Sequence, residues 1–410
     1  MSSKTGKIRS ILDSDLYKFS MMQAIFFLFP SRLVKYQFIN RGKTQFPVGF
    51  DSRLRQELKK MEELSLSEKE EKFLSKLSFF KRAFIEFLRG CRFDSSEVGV
   101  TQIGGELTVT IQGYWYRTVL WEVPLMALIS ELYFEMTGQE IDSREVRQKK
   151  NIEKGILFYQ NSLKVADFGT RRRYSFDNQM EVVSDLKSCF GSKDFLVGTS
   201  NVFIAMELGL TPIGTHAHEW FMFHAVEYGY TRANFRALEN WVEVYQGDLG
   251  IALSDTFTTE DFFRVFDKKF AKLFDGVRHD SGDPFEFVDK VVAHYKKLGI
   301  DPSTKTIVFS DGLNPDLAVE IYKYCNKLGV NVADSKIRTS FGIGTNLTND
   351  VGVKPLNIVI KVTEVLIGDI WIDTVKLSDN PGKHTGSEDE IDLCKRTLRL
   401  DTLKKLAEVN

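Results

Sequence analysis

The chain has 410 residues and a mass of 47.0 kDa, room for one large domain and a smaller one. Hydrophobic residues make up 43% and charged residues 27%, which excludes a disordered or fibrous chain. A formal net charge of −1 leaves no global positive field, so neither nucleic acid nor a membrane surface is expected as a partner, and anions must be held by local devices.

Near the start, residues 25–29 are the most apolar stretch. They are too short to span a bilayer, and Asp13 and Asp15 stand where a signal peptide would carry basic residues. The reading is a buried helix opened by an acidic cap at one of those aspartates. Cys91, Cys189, Cys325 and Cys394 lack CxxC spacing and suit a reducing cytoplasm. Residues 52–89 place Leu54, Leu58, Met61, Phe73 and Leu77 at helical spacing. Residues 106–122 alternate with period two and predict antiparallel strands. An N-terminal α+β module is therefore expected over 1–140.

Short β-type runs then end at Phe168, Gly198, Gly214, Ser254, Val277, Phe309, Ser340 and Ile360. Most are followed by a helical pattern, as at 202–210 and 315–328. Over 141–364 this predicts an α/β domain whose parallel sheet forms an irregular or incomplete (β/α) barrel. The tail, 365–410, with Leu393, Leu398, Leu403 and Leu406, is expected to pack back on the first module.

In such a barrel the carboxyl ends of the strands share one mouth. Those ends carry Phe168 with Arg171, Thr199 with Ser200, His216 with His218, Asp255, Arg278 with Asp280, Asp311, and Gly342 with Gly344. Polar groups are costly in a barrel wall, whereas at the mouth they can meet a ligand. The loops Ser310, Asp311, Gly312 and Phe341 to Thr345 bear glycines that let backbone N–H groups approach a phosphate. Arg171, Arg172 and Arg173 read either as a solvated loop or as guanidinium donors to an oxyanion. Phe168 is either core or a platform for a flat aromatic ligand.

His216 and His218 admit two sharp readings. Alternate strand positions share a face, so they can form a metal pair. Alternatively one of them accepts a phosphoryl group, with Glu219 orienting the ring. The second fits better, because at the later strand ends only His279 offers a further histidine while the other clusters suit phosphate. Asp255, Asp280 and Asp283 suit Mg²⁺ or ribose hydroxyls.

Together the segments 13–18, 167–173, 198–201, 214–220, 276–284, 310–313, 341–346 and 355–361 resemble the signature blocks of the nicotinate phosphoribosyltransferases, in that family's order. The similarity runs from Ile11 to about Lys383. It implies a type II phosphoribosyltransferase-like fold and the conversion of nicotinate and 5-phosphoribosyl 1-diphosphate to nicotinate mononucleotide and diphosphate in NAD salvage. It also implies ATP as co-substrate, Mg²⁺, no organic prosthetic group, and a monomer or homodimer. By the same resemblance His218 is transiently phosphorylated, and Arg278 and Asp280 complete the catalytic set. Phe168 and Tyr17 would hold the pyridine ring, Tyr17 from the same chain or a neighbouring one, with Thr199 and Ser200 beside it. Arg278 would meet the carboxylate or the 5′-phosphate, and Asp280 the ribose. Ser310, Asp311, Gly312, Gly342, Gly344 and Thr345 would hold the 5′-phosphate. Arg41 and Arg171 would face pyrophosphate, and Asp255 with Asp280 would hold the metal.

Ser200 stands where related nicotinamide-using enzymes carry aspartate. Removing that charge predicts nicotinate over nicotinamide. The rival readings are nicotinamide or quinolinate phosphoribosyltransferase, a zinc-dependent barrel hydrolase built on His216 and His218, and a catalytically silent sensor. Intact His218, Arg278 and Asp280 argue against the last.

Overall fold

The computed structural model describes residues 6–331 and 337–400; Leu403 and Leu406 of the expected tail lie outside them. Two sheets organise the chain. Strands β1 (Leu33–Asn40), β2 (Val98–Ile103), β3 (Glu106–Tyr114), β10 (Ile358–Ile367) and β11 (Ile370–Asp373) form an antiparallel sheet ordered β11-β10-β1-β3-β2. Period-two alternation buries Leu107, Val109 and Ile111 on one face of β3, as the pleat requires. The alternation stops at Tyr114. The expected strand stretch 106–122 therefore ends early, and residues from Trp115 turn into helix.

The second sheet is parallel. It contains β4 (Val165–Asp167), β5 (Leu196–Thr199), β6 (Ile251–Leu253), β7 (Gly276–His279), β8 (Thr306–Phe309) and β9 (Arg338–Ile343) in the order β5-β4-β9-β8-β7-β6. Helices such as Val202–Leu208, Pro284–Lys297 and Pro315–Asn331 follow the strands. The sheet is six-stranded and open between β5 and β6 among the described residues. Two of the expected barrel strands are absent from it. The run to Gly214 makes one bridge, Thr199 with Pro212. The run to Ile360 lies in β10, paired with β1 from Val34–Val365 to Asn40–Ile358. Residues 358–364, expected in the barrel, thus complete the antiparallel sheet.

The helix Leu16–Leu28 is buried over most of its length. Asp15 is its N-cap residue, but its carboxylate accepts from Ser200 Oγ at 2.7 Å instead of capping. The helix Glu388–Leu398, expected on the first module, packs on the helix Tyr230–Tyr245 instead. Tyr230 donates to Glu390 at 2.8 Å, and Arg264 to the Leu398 carbonyl at 2.8 Å. No helix among the described residues is long and apolar enough to cross a membrane.

Candidate active site

Three recesses meet at the carboxyl ends of the parallel strands. The first is a slot lined by Asp15, Tyr17, Phe168, Ser200, Ile213, Thr215 and Val308, with both aromatic rings from one chain. The second lies among Phe168, Gly169, Arg172, Ser310, Gly312, Gly342, Gly344, Thr345 and Asn346. The third is a chamber walled by Arg41, Glu122, His218, Asp280, Asp311, Lys361, Lys376 and Lys383. Arg171 and Arg278 line all three and so stand at their junction.

His218 opens the helix His218–Tyr228, where unpaired backbone N–H groups favour an anion. Its Nδ1 is 3.0 Å from Thr256 Oγ1 and its Nε2 is 3.0 Å from Asp280 Oδ2. Asp255 Oδ1 lies 3.8 Å from Nε2 and has no hydrogen-bond partner, although it is buried. Burial, reinforced by the Lys376 charge, lowers the His218 pKa to about 4, so the ring is neutral at pH 7.

Arg278 is fixed before any ligand arrives. Its Nε donates to Ser310 Oγ at 2.8 Å and its Nη2 to Asp280 Oδ1 at 3.0 Å. Ser310 in turn donates to Asp280 at 2.7 Å. Burial opposes ionisation of Asp280, but Arg278 and His218 hold its carboxyl well below the usual range.

Other expected residues sit differently. The Thr199 hydroxyl donates to Asp167 at 2.8 Å and lines none of the three recesses. Asp311 is engaged by Lys383 at 2.6 Å. Of the arginine triplet, Arg173 is buried against Asp13, with contacts of 2.6 and 2.9 Å, and only Arg171 and Arg172 reach the mouth. Burial, and after it the neighbouring Arg171 and Arg41, lower the Arg172 pKa to about 10. A Cβ on Gly342 would stand 2.8 Å from Phe168 Cγ and nearer still to other ring atoms, so this glycine makes room for the ring. Gly312, at φ +58°, supplies a left-handed turn instead.

Glu219 does not orient the His218 ring. Neighbouring helix positions face different ways. Its carboxylate accepts from Lys18 and Trp115, each at 2.6 Å, and from Tyr36. His216 packs edge-on against Trp241 and Phe221 with both ring nitrogens buried and unpartnered, so it forms no metal pair with His218. Alternation ends because Ala217 caps a helix that His218 begins.

Two lysines were not singled out from the sequence. Lys361, on β10, has its pKa lowered to about 7, first by burial and then by Lys376. Lys376 is itself lowered by burial while Asp255 and Asp280 oppose the shift. Local spacing around neither lysine signals a place at the mouth.

An aromatic slot, a glycine-lined recess and a cationic chamber meeting at two arginines define a phosphate-handling transferase of the α/β class. Two family models match the chain. The nicotinate phosphoribosyltransferase (NAPRTase) family model matches residues 163–402, and that of its N-terminal domain matches residues 12–130. The chain is 51% identical over 393 residues to a nicotinate phosphoribosyltransferase of Chromohalobacter salexigens, covering 95% of this chain and 98% of the relative. It is 45% identical to one from Methanosarcina acetivorans, covering 94% and 96%. Among solved structures, a nicotinate phosphoribosyltransferase from Porphyromonas gingivalis superposes with a TM-score of 0.90 at 46% identity, covering 95% and 99%. A putative one from Saccharomyces cerevisiae gives 0.89 at 31%, covering 96% and 98%. The chain belongs to the nicotinate phosphoribosyltransferase family.

Proposed function

We propose that this enzyme joins nicotinate to the ribose of 5-phosphoribosyl 1-diphosphate, releasing pyrophosphate, and that ATP drives the step by phosphorylating His218. The observation that carries the reading is His218 itself: a buried, neutral imidazole at a helix N-terminus, opening on a chamber of cations. Nicotinate fits between Tyr17 and Phe168, with Arg171 and Arg278 facing its carboxylate. The 5′-phosphate fits the recess of Gly312, Gly344 and Thr345, and pyrophosphate the chamber of Arg41, Arg171, Arg172, Lys361 and Lys376.

Displacement at the anomeric carbon builds positive charge on the ribose as pyrophosphate leaves. Catalysis therefore needs a stabilised leaving group and a positioned ring nitrogen. Held by Arg278, Asp280 stays ionised and suits the ribose or the developing charge. For phosphoryl transfer, Nε2 must present its lone pair. It does so when the neutral ring's single proton sits on Nδ1 facing Thr256, which leaves Nε2 bare on the side of Asp280 and Asp255. Nε2 then bonds to the γ-phosphorus as its bond to ADP breaks. No trio of metal-ligating side chains occurs among the described residues. Asp255, with its unpartnered oxygen, and Asp280 fit a magnesium ion completed by water and substrate phosphates. Bound there, the metal supplies positive charge to phosphate oxygens.

The test is incubation with γ-labelled ATP. Acid-labile, base-stable label on the wild type, absent from His218→Ala and discharged by nicotinate with 5-phosphoribosyl 1-diphosphate, is expected. Equal label on the variant would refute the role of His218.

A further inference from the structure

Lys18 follows Tyr17, yet its side chain is 0% exposed and touches none of the three recesses. Its ammonium lies 2.6 Å from Glu122 Oε2 and 2.6 Å from Glu219 Oε2. The two carboxylates are not equally supported. Glu219 has further donors in Tyr36 and Trp115. Glu122 has Lys18 and, beyond it, Arg171, whose Nη1 stands 3.6 Å from Oε1, too far for a hydrogen bond. Arg171 remains 39% exposed at the junction of the recesses.

We propose that Lys18 is a positioning residue which, by sharing Glu122, keeps Arg171 free to bind the anionic substrate. A buried carboxylate that loses its ammonium must find another cation or take up a proton. Arg171 is the nearest guanidinium, and a small rotation would turn the 3.6 Å approach into a forked ion pair. That capture would draw Arg171 away from the slot and the recess and, at the chamber wall, neutralise its charge against Glu122. With Lys18 in place, Glu122 is held below its usual range and restrains Arg171 without taking it. The charges alternate along Glu219, Lys18, Glu122 and Arg171, from the residue beside His218 to the mouth.

This inference rests on the transferase reading for the identity of the anion, so the probe is inorganic pyrophosphate and the readout is calorimetric binding to the full chain. Lys18→Met is expected to weaken pyrophosphate about tenfold, and Lys18→Met with Glu122→Gln to return within about threefold of wild type. A long-range loss of charge would mimic that pattern, so both are repeated with Arg171→Met. There Lys18→Met is expected to change nothing further. Weakening that persists without Arg171, or that Glu122→Gln fails to relieve, overturns the proposal. Should Lys18→Met not fold, Glu122→Gln alone serves, since Lys18 keeps Glu219. It is expected to tighten pyrophosphate about two- to threefold only while Arg171 is present, and equal tightening in both backgrounds overturns the proposal. Turnover of the wild type with nicotinate and 5-phosphoribosyl 1-diphosphate, scored in parallel, tests the transferase reading separately.

Discussion

Gly342→Ala separates two jobs a glycine can do at this mouth. Gly342 does not have positive φ, so alanine brings no backbone strain, and the effect is steric. The new methyl would lie 2.8 Å from Phe168 Cγ, whereas carbon atoms rest about 3.5–4 Å apart. Other ring atoms come nearer still, so the ring must withdraw by more than about 1 Å, which for a residue placing a reactant costs about a hundredfold or more in efficiency. Overpacking of this kind also destabilises by about 1–3 kcal/mol. Steady-state kinetics with each substrate varied in turn is the assay. We expect KM for nicotinate to rise while KM for 5-phosphoribosyl 1-diphosphate moves little, and Phe168→Leu to absorb most of the penalty in the double variant. If the phosphoribosyl substrate alone loses affinity, the glycine serves close backbone approach to phosphate and the steric reasoning is wrong.

Ser200→Asp sets a second carboxylate beside Asp15, itself buried with its pKa raised by that burial. Nicotinate efficiency should fall by about tenfold or more relative to nicotinamide; an unchanged ratio would sink the charge argument. Arg173→Met strands buried Asp13 and should destabilise by about 3–5 kcal/mol in urea unfolding. Arg172→Met should leave stability within about 0.5 kcal/mol while raising KM for 5-phosphoribosyl 1-diphosphate. Lys361 titrates at about 7 and is half-neutral there; an arriving anion raises that pKa, so protons are taken up on binding. Calorimetry of pyrophosphate binding at pH 7.5 in buffers of different ionisation enthalpy should show this uptake, lost in Lys361→Met. No buffer dependence in the wild type would refute it.

The parallel layer was legible because polar residues or glycines follow its short apolar runs: Arg171, Asp280 and Gly312 stand where packing alone would not place them. What escaped depends on partners far along the chain. β10 alternates buried and half-buried residues, whereas β4 is buried at every position, and that contrast marks β10 as half-covered and antiparallel. Its pairing with β1 brings Lys361 to the mouth, which local spacing around residue 361 does not reveal. The arginine triplet looked uniform, yet only the short helical turn Thr170–Arg172 decides that Arg173 turns inward to Asp13. Glu219 was misread by proximity in sequence, for successive helix residues diverge by about 100°.

The strand order of the antiparallel sheet bears on how the molecule is made. β1 emerges early from the ribosome but lacks one edge partner until β10 follows; Lys35 and Glu364, joined across that pair, are 329 residues apart. Until then β1 offers an open strand edge, the kind that invites pairing with another chain. Contacts so distant also slow folding. A ribosome that stalls before β10 releases a polypeptide with one wall of the chamber missing and that edge exposed. Translation through β10 is thus a checkpoint: the chain must be read past residue 358 before the cations of the mouth can assemble.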